Sequence, residues 1–437
     1  MKSKNVLVTI PYLVIGGTEM QTLNLVRALI GGGYNVSVLC LYRHIESTVS
    51  MFKDAGAKVY MASPQYDRYG IDIKYPKGIK LILFLYKHLR RIIREEKIDI
   101  VHVQYMAPGL SMILVLHYLL FQRNIIATAH TAADIYKGLR PIYFIQRNCL
   151  RAFTCITERA ERSFFGTSQL YTTETVLGKR NHFTIYNALP AQMRCNVDVD
   201  CHPGCSQLSH ADSAENAENA LAGSYSHPDG STVDTITDGT SAMSAAPSLR
   251  GRAGGEAPIL GVVSRLELIK GMDLVVPAFA EVLKRFPAVR LLVVGDGSLR
   301  ATMEQQAAEL GCADRITWVG RQPQEELNKW YGQMDIVLMP SRSEGFGLTA
   351  IEAMANGCVM VASNVGGLPE VVRDGVCALL HRTEDVQDMA DKVSVLLGDN
   401  ELYIRLRTQA LCEVKKYSFQ RYAELVCNLY NKICNEP

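Results

Sequence analysis

Short apolar, β-branched runs alternate with stretches of helical periodicity along most of this chain. "NVLVTI", "NVSVLC", "IDIVHVQ" and "NIIATAH" read as buried strands, with helical spacing from Thr18, after "NVSVLC" and through "GLSMILVLHYLL". The alternation restarts at "APILGVVSRL" and continues with "VRLLVVGDG", "RITWVG", "DIVLMP" and "VMVASN". Between these runs come helices from Asp273 and Ser298, one through Trp330 and one carrying Glu352. Strands apolar on both faces need helices on both sides of a parallel sheet, so the expected fold class is α/β, in two doubly wound halves.

Between the halves the periodicity lapses. Residues 191–257 are rich in Ser, Ala, Gly, Asp and Thr and hold almost no large apolar side chains, too few to offset the entropy of ordering. They are expected to form a disordered polar insertion. Its first part, "CNVDVDCHPGC", gathers Cys195, Cys201, His202 and Cys205, whose spacing matches no C-x-x-C knuckle and reads as linker cysteines. The division that follows is an N-terminal domain over 1–190, the insertion over 191–257, a C-terminal domain over 258–415, and a last helix over 416–437 placed to cross back to the N-terminal domain.

Composition adds an asymmetry. The net charge of +2 conceals 24 Lys+Arg against 12 Asp+Glu in residues 1–190, whereas the insertion has 3 against 9. Twelve scattered cysteines and no signal peptide before "NVLVTI" fit a reducing compartment better than a disulfide framework, so a cytoplasmic protein is expected. The longest apolar stretch, interrupted by His117, falls short of the roughly 20 residues of a spanning helix.

Open α/β sheets bind ligands at the carboxyl ends of their strands, so the exit loops carry the chemistry. In "PYLVIGGTEMQ", Gly16 and Gly17 precede a helix whose Thr18 and Gln21 have capping-box spacing, and its free N–H groups suit an anion. In "SRLELIKGMD", Arg265 and Lys270 leave a strand end five residues apart, a guanidinium and an ammonium suited to a diphosphate. After "DIVLMPS", Glu344 stands where a hydroxylated ligand would donate to it, and Phe346 to Thr349 offer N–H groups at the next helix start. Glu352 lies eight positions beyond Glu344. It is within reach of a ribose diol or, as the partner of Thr349 in a T-x-x-E capping box, of the helix itself.

"GGTE", "SRLELIKGMDLVVPAF", "LLVVGDGSLR", "ITWVGR" and "SRSEGFGLTAIEAMANGCVMVASNVGGLPEVVRDG" together resemble the retaining glycosyltransferases of family four, most specifically over about residues 259–375. The N-terminal resemblance rests on "GGTEMQTLNLVRAL", "IDIVHVQ", "ATAHT" and "TIYNAL". It implies the GT-B fold, two Rossmann-like domains facing across a cleft, here with the polar insertion between them. It also implies site roles: Arg265 and Lys270 on the donor diphosphate, and Glu344 and Glu352 as the two glutamates of an E-x7-E motif, near sugar hydroxyls and ribose. His130 would line the sugar site, and Gly16, Gly17, Ser264, Gly295, Gly320, Arg321, Gly345, Phe346, Gly347, Leu348 and Thr349 would surround the donor. Ser264 replaces the usual glycine before the arginine, and the family's "NG-acidic" stretch appears as "YNALP".

The implied reaction moves a hexose or N-acetylhexosamine from a nucleotide diphosphate sugar to an acceptor hydroxyl with retention. No cofactor and no metal are expected, since the cations and helix N-termini meet the charge of the leaving diphosphate. A glycosidase would need no diphosphate clamp, and its carboxylates face each other across the scissile bond. An epimerase or phosphorylase of similar fold, or a non-catalytic nucleotide-sugar-binding protein, are the alternatives. Residues 75–97 place Lys77, Lys80, Lys87, Arg90, Arg91, Arg94 and Lys97 among apolar residues. Such a helix suits an anionic membrane surface, hence a saccharide or lipid-linked acceptor in cell-surface polysaccharide or lipopolysaccharide assembly and a peripheral position at the inner face of the membrane. No nucleic-acid motif accompanies the charge.

Overall fold

In the computed structural model, residues 4–62, 79–104, 115–117, 119–120, 124–135, 140–178, 180–193 and 257–435 are described. Residues 194–256 of the insertion with its Cys195–Cys205 cluster, most of "GLSMILVLHYLL" and residues 75–78 lie outside them. The apolar runs form β1 (Asn5–Leu13), β2 (Asn35–His44), β3 (Lys58–Met61), β4 (Ile100–Gln104), β5 (Ile125–Ala129), β6 (Ala152–Cys155) and β7 (His182–Thr184). They build a parallel sheet in the order β3-β2-β1-β4-β5-β6-β7. The second half contributes β8 (Ile259–Val263), β9 (Arg290–Val294), β10 (Ile316–Gly320), β11 (Ile336–Met339), β12 (Val359–Ser363) and β13 (Ala378–His381). Their order is β10-β9-β8-β11-β12-β13, again all parallel.

Each sheet is therefore two-sided and doubly wound, the architecture that the alternation of runs and helices predicts. Strands β3, β6, β7 and β13 have no counterpart among the runs picked out by pattern, because three or four residues carry too little periodicity to stand out. Strand order reverses between β1 and β4 and between β8 and β11. A crevice opens at such switch points, and the loops after β1, β8 and β11 are the ones that hold the glycines and charges noted above.

Helix packing explains how the halves are joined. The helix Phe419–Asn435 buries Val426, Leu429, Tyr430 and Ile433 in the same cluster as Val6, Val26 and Leu29 of the N-terminal half. The C-terminal end of the chain thus belongs to the first core. Tyr430 also donates its hydroxyl hydrogen to, or accepts from, His102 Nδ1 at 2.6 Å, and Thr128 lies 2.7 Å from the other ring nitrogen. At the second junction Tyr417 packs edge to face with both Tyr186 and Phe346, which meet each other at a tilt, and Leu189 N donates to Tyr417 O at 2.9 Å.

The basic segment forms the helix Ile79–Glu95, which buries Leu85, Leu89 and Ile92 in the core and leaves Lys87, Arg90, Arg91 and Arg94 exposed. No helix among the described residues is long and apolar enough to cross a membrane. Among the described residues Cys40, Cys149, Cys155, Cys312, Cys358, Cys377, Cys427 and Cys434 are free.

The exit loops of the second sheet are stacked at backbone distance. Gly295 has φ of 137°, and a Cβ there would lie 1.8 Å from the Ser264 carbonyl oxygen. Both the left-handed angle and the contact require glycine. Gly295→Ala is expected to lower unfolding free energy by more than about 2 kcal/mol in urea titrations. Unchanged stability would mean that this stacking is not needed.

Candidate functional site

The loop after β8 is shaped by its neighbours. Ser264 N donates to Val294 O at 3.1 Å, Leu266 N to Asp296 O at 3.0 Å, and Leu299 N to Leu266 O at 2.9 Å. Arg265 emerges from this lattice exposed. Lys270 ends the 3-10 turn Leu268–Lys270, and its Nζ donates to Glu344 Oε2 at 2.6 Å. This ion pair is largely withdrawn from water, with 22% and 14% of the two side chains exposed. Two residues read separately from the sequence, 74 positions apart, are in direct contact.

Arg342, which the sequence reading passed over, fixes that geometry. Its guanidinium donates to both Asp273 oxygens at 2.6 and 2.8 Å, to Leu268 O and to Glu384, while its N–H donates to Ile269 O at 3.0 Å. One side chain on the β11 loop thus clamps both sides of Lys270's turn. The hydrogen bonds from Arg342 hold the Asp273 carboxyl below its ordinary range, and the two acids push the guanidinium further up. The available signal was a cation two residues before Glu344 at the end of a buried strand.

Glu352 does not act as the cap of its own helix. The helix Leu348–Ala355 is capped by Gly347 with no side-chain bond, so the Thr349–Glu352 capping box does not form. Gln324 Nε2 donates to Glu352 Oε1 at 2.9 Å and Tyr331 Oη to Oε2 at 3.0 Å. The carboxyl is buried, and burial pushes its pKa up to about 7 against those two bonds. Thr349 Oγ1 instead lies 3.4 Å from Val263 O. Leu348 and Thr349, in the helix's first turn, have N–H groups without intrahelical acceptors. Phe346 is buried against Tyr186 and Tyr417, so its side chain packs instead of facing the cleft. Gly320 accepts from Gly295 N at 2.9 Å, and exposed Arg321 follows it at the end of β10. Edge strand β10 stands two strands from β8, about 10 Å away at the usual spacing.

The N-terminal half faces this arrangement. Gly16 caps the helix Gly17–Gly31 without a side-chain bond, so the Thr18–Gln21 box is also absent. Gln21 is spent elsewhere: its amide donates to Ala188 O at 2.6 Å and accepts from Ala188 N at 2.9 Å, while Asn24 donates to Ala188 O and Leu189 O. These bonds pin "YNALP". A Cβ on Gly17 would lie 3.3 Å from Leu348 Cδ1, so the glycine loop abuts the helix start of the other domain. Glu19, also unassigned from sequence, is buried and its pKa is pushed up to about 7, with the Arg265 charge opposing the shift.

His130 follows β5 and is buried, its Nε2 2.7 Å from Gln104 Oε1, and burial lowers its pKa to about 4. It is a neutral imidazole near neutral pH. Its carbonyl oxygen would lie 2.7 Å from a Cβ on Gly345, which brings the histidine's backbone against the Glu344 loop. Nearby, Glu370 spans the domains: its oxygens accept from Glu158 N at 2.7 Å and Arg159 N at 3.0 Å, capping the helix Glu158–Phe165 beside Thr157.

Comparisons with known proteins agree with this architecture. The profile described as "Glycosyl transferases group 1" matches residues 250–411, and that described as "Glycosyltransferase Family 4" matches residues 15–167. A D-inositol 3-phosphate glycosyltransferase of Nocardia farcinica is 40% identical over 188 residues, 41% of this chain and 42% of that relative's own length. A glycosyltransferase from Rickettsia africae superposes with a TM-score of 0.69 at 17% identity, covering 100% of both chains. The Anabaena protein Alr3699/HepE, solved with UDP-glucose, superposes with a TM-score of 0.65 at 15% identity over 97% of this chain and 98% of that one.

The raised pKa of Glu352 has a signed consequence. Between its ordinary value of 4.5 and about 7 the folded protein holds a proton that the unfolded chain has lost, so this group's contribution to stability declines as pH rises through that window and is constant above it. Glu352→Gln removes the decline. Urea titrations at pH 5 and pH 8 should show the variant gaining about 1 kcal/mol or more on wild type at the higher pH; parallel profiles would refute the burial of an ionisable group there.

Proposed function

Since this chain belongs to glycosyltransferase family four and has the GT-B fold, we propose that it is a retaining transferase that moves a hexose or N-acetylhexosamine from a nucleotide diphosphate sugar to an acceptor hydroxyl. The observation that carries this reading is the Lys270–Glu344 pair at the switch point of the second sheet, with Arg265 on the same loop. The donor diphosphate lies on Arg265, Lys270 and the N–H groups at the start of the Leu348 helix. Those dipoles and charges are fixed before the bond breaks, which is where electrostatic catalysis gains most. The phosphates compete with Glu344 for the Lys270 ammonium, leaving the carboxylate to accept from sugar hydroxyls.

Glu352 receives the ribose through oxygens already oriented by Gln324 and Tyr331. The leaving group's charge is met without a metal. UDP is the first nucleotide to test, because the Anabaena neighbour was solved with UDP-glucose. The relatives' D-inositol 3-phosphate supplies one acceptor to assay, and lipid-linked saccharides supply the other. The second choice follows from the exposed cations of the Ile79–Glu95 helix, which suit the anionic cytoplasmic face of a membrane and a role in cell-surface polysaccharide or lipopolysaccharide assembly.

Two measurements test these assignments. Release of nucleoside diphosphate from a panel of sugar nucleotides should fall by roughly 10²–10³-fold in Lys270→Ala and in Arg265→Ala. Full turnover in both would end the transferase reading. In flotation assays the protein should rise with anionic vesicles at low salt, and a variant with Arg90, Arg91 and Arg94 changed to Gln should stay behind; equal flotation of the two would remove the membrane role.

A further inference from the structure

The amino ends of β6 and β7 border a recess of about 870 Å³ that no step of the proposed reaction uses. It lies between the end of the helix Arg140–Cys149 and the end of the helix Glu158–Phe165. Arg147, Arg151 and Arg162 line it together with His182, Phe165 and Tyr143. The transfer site sits at the opposite, carboxyl ends of the strands. The four residues of β6 alone separate the two by about 13 Å.

Three arginines line this recess, and among the described residues lining it there is no Asp or Glu. Two acids stand behind the lining. Glu161 is fully buried and accepts from Thr184 at 2.6 Å and Arg180 at 2.9 Å, with His182 Nδ1 at 2.7 Å. Glu158 accepts from Ser168 at 2.9 Å and pairs with Arg162 at 3.3 Å, and Arg162 also donates to Ser168 at 2.9 Å, so a phosphate would share this guanidinium with its neighbours. Arg147 and Arg162 lie in the last turns of their helices, where a cation is favourable against the carbonyl ends. That explains a cation at each helix end. It leaves unexplained a ligand-sized hollow between them, within the usual range of about 300–1,000 Å³.

Part of the remaining wall is aromatic. Phe165 stacks on His182 with centroids 4.2 Å apart and planes at 16°, and Tyr143 meets Phe165 edge-on at 6.2 Å. Planar, forked donors beside a ring wall match an anion carried on a compact ring. We propose that this recess is an accessory binding site for a small phosphorylated sugar, held through its phosphate by Arg147, Arg151 and Arg162 with the sugar against the aromatic wall. The lining is concave, which suits a free molecule better than a membrane surface.

Because a diphosphate clamp is proposed in the cleft as well, the test removes that site first. In a protein carrying Arg265→Ala and Lys270→Ala, calorimetric titration with glucose 1-phosphate should still give saturable binding, stronger than that of glucose or inorganic phosphate. Adding Arg147→Glu should weaken it tenfold or more without changing the unliganded melting temperature, and Arg147→Lys should recover part of the loss. If the charge reversal disturbs folding, Arg147→Gln gives the same reading. Absence of binding once the cleft cations are gone, or equal affinity with Arg147 reversed or neutralised, would overturn the proposal. Neither result bears on catalysis in the cleft.

Discussion

Two parallel sheets can share a ligand only if their carboxyl edges are held within reach of each other, and here the edges meet backbone to backbone. Gly345 approaches the His130 carbonyl so closely that a Cβ would stand 2.7 Å from it, and a Cβ on Gly367 would be 2.2 Å from the Gly345 carbonyl oxygen and 3.0 Å from Thr157 Cγ2. No side chain fits between these strands' loops. The charged residues are thus carried on a packed backbone, which limits how far they can drift. Apolar burial supplies the force behind that contact: four side chains of the final helix sit in the first domain's core, and each fully buried aliphatic or aromatic contributes about 1.5–3 kcal/mol.

On that base the polar groups are ordered by one another. Arg342 holds the turn that carries Lys270, Lys270 holds Glu344, and the Glu344 carbonyl accepts from Gly367 N at 2.9 Å. Such a chain loses little freedom when a charged ligand arrives, because the side chains are already in place. On the facing domain the corresponding work is done by neutral partners: Gln104 orients His130, and Gln21 and Asn24 fix the segment at Ala188.

The α/β class was legible because continuous apolar runs and helical spacing are local properties, visible in windows of a few residues. Arg265, Lys270 and Glu344 stood out for the same reason, as charges at the ends of buried runs. The capping boxes at Thr18 and Thr349 also satisfied a local rule and do not form. Gln21 finds a partner 167 positions away, and Glu352 is claimed by Tyr331, 21 positions back. In each case a tertiary bond outweighs an i to i+3 bond whose alternative, solvation of a helix end, costs little. Arg342 and Glu370 were missed on the same grounds: an exposed-looking loop cation and a helix acid gain meaning only from residues 69 and 212 positions distant.

The Glu370 cap has a mechanical consequence. A cap is ordinarily supplied by the chain just before its helix, but here one domain also supplies caps for a helix of the other. Separating the domains therefore strips two amide groups and a carboxylate of their partners at once, at a cost on the scale of a single helix cap, roughly 0.5–2 kcal/mol. The buried face of the final helix costs several times more to expose. Of these two links between the halves, the buried helix is much the stronger and the Glu370 cap the weaker.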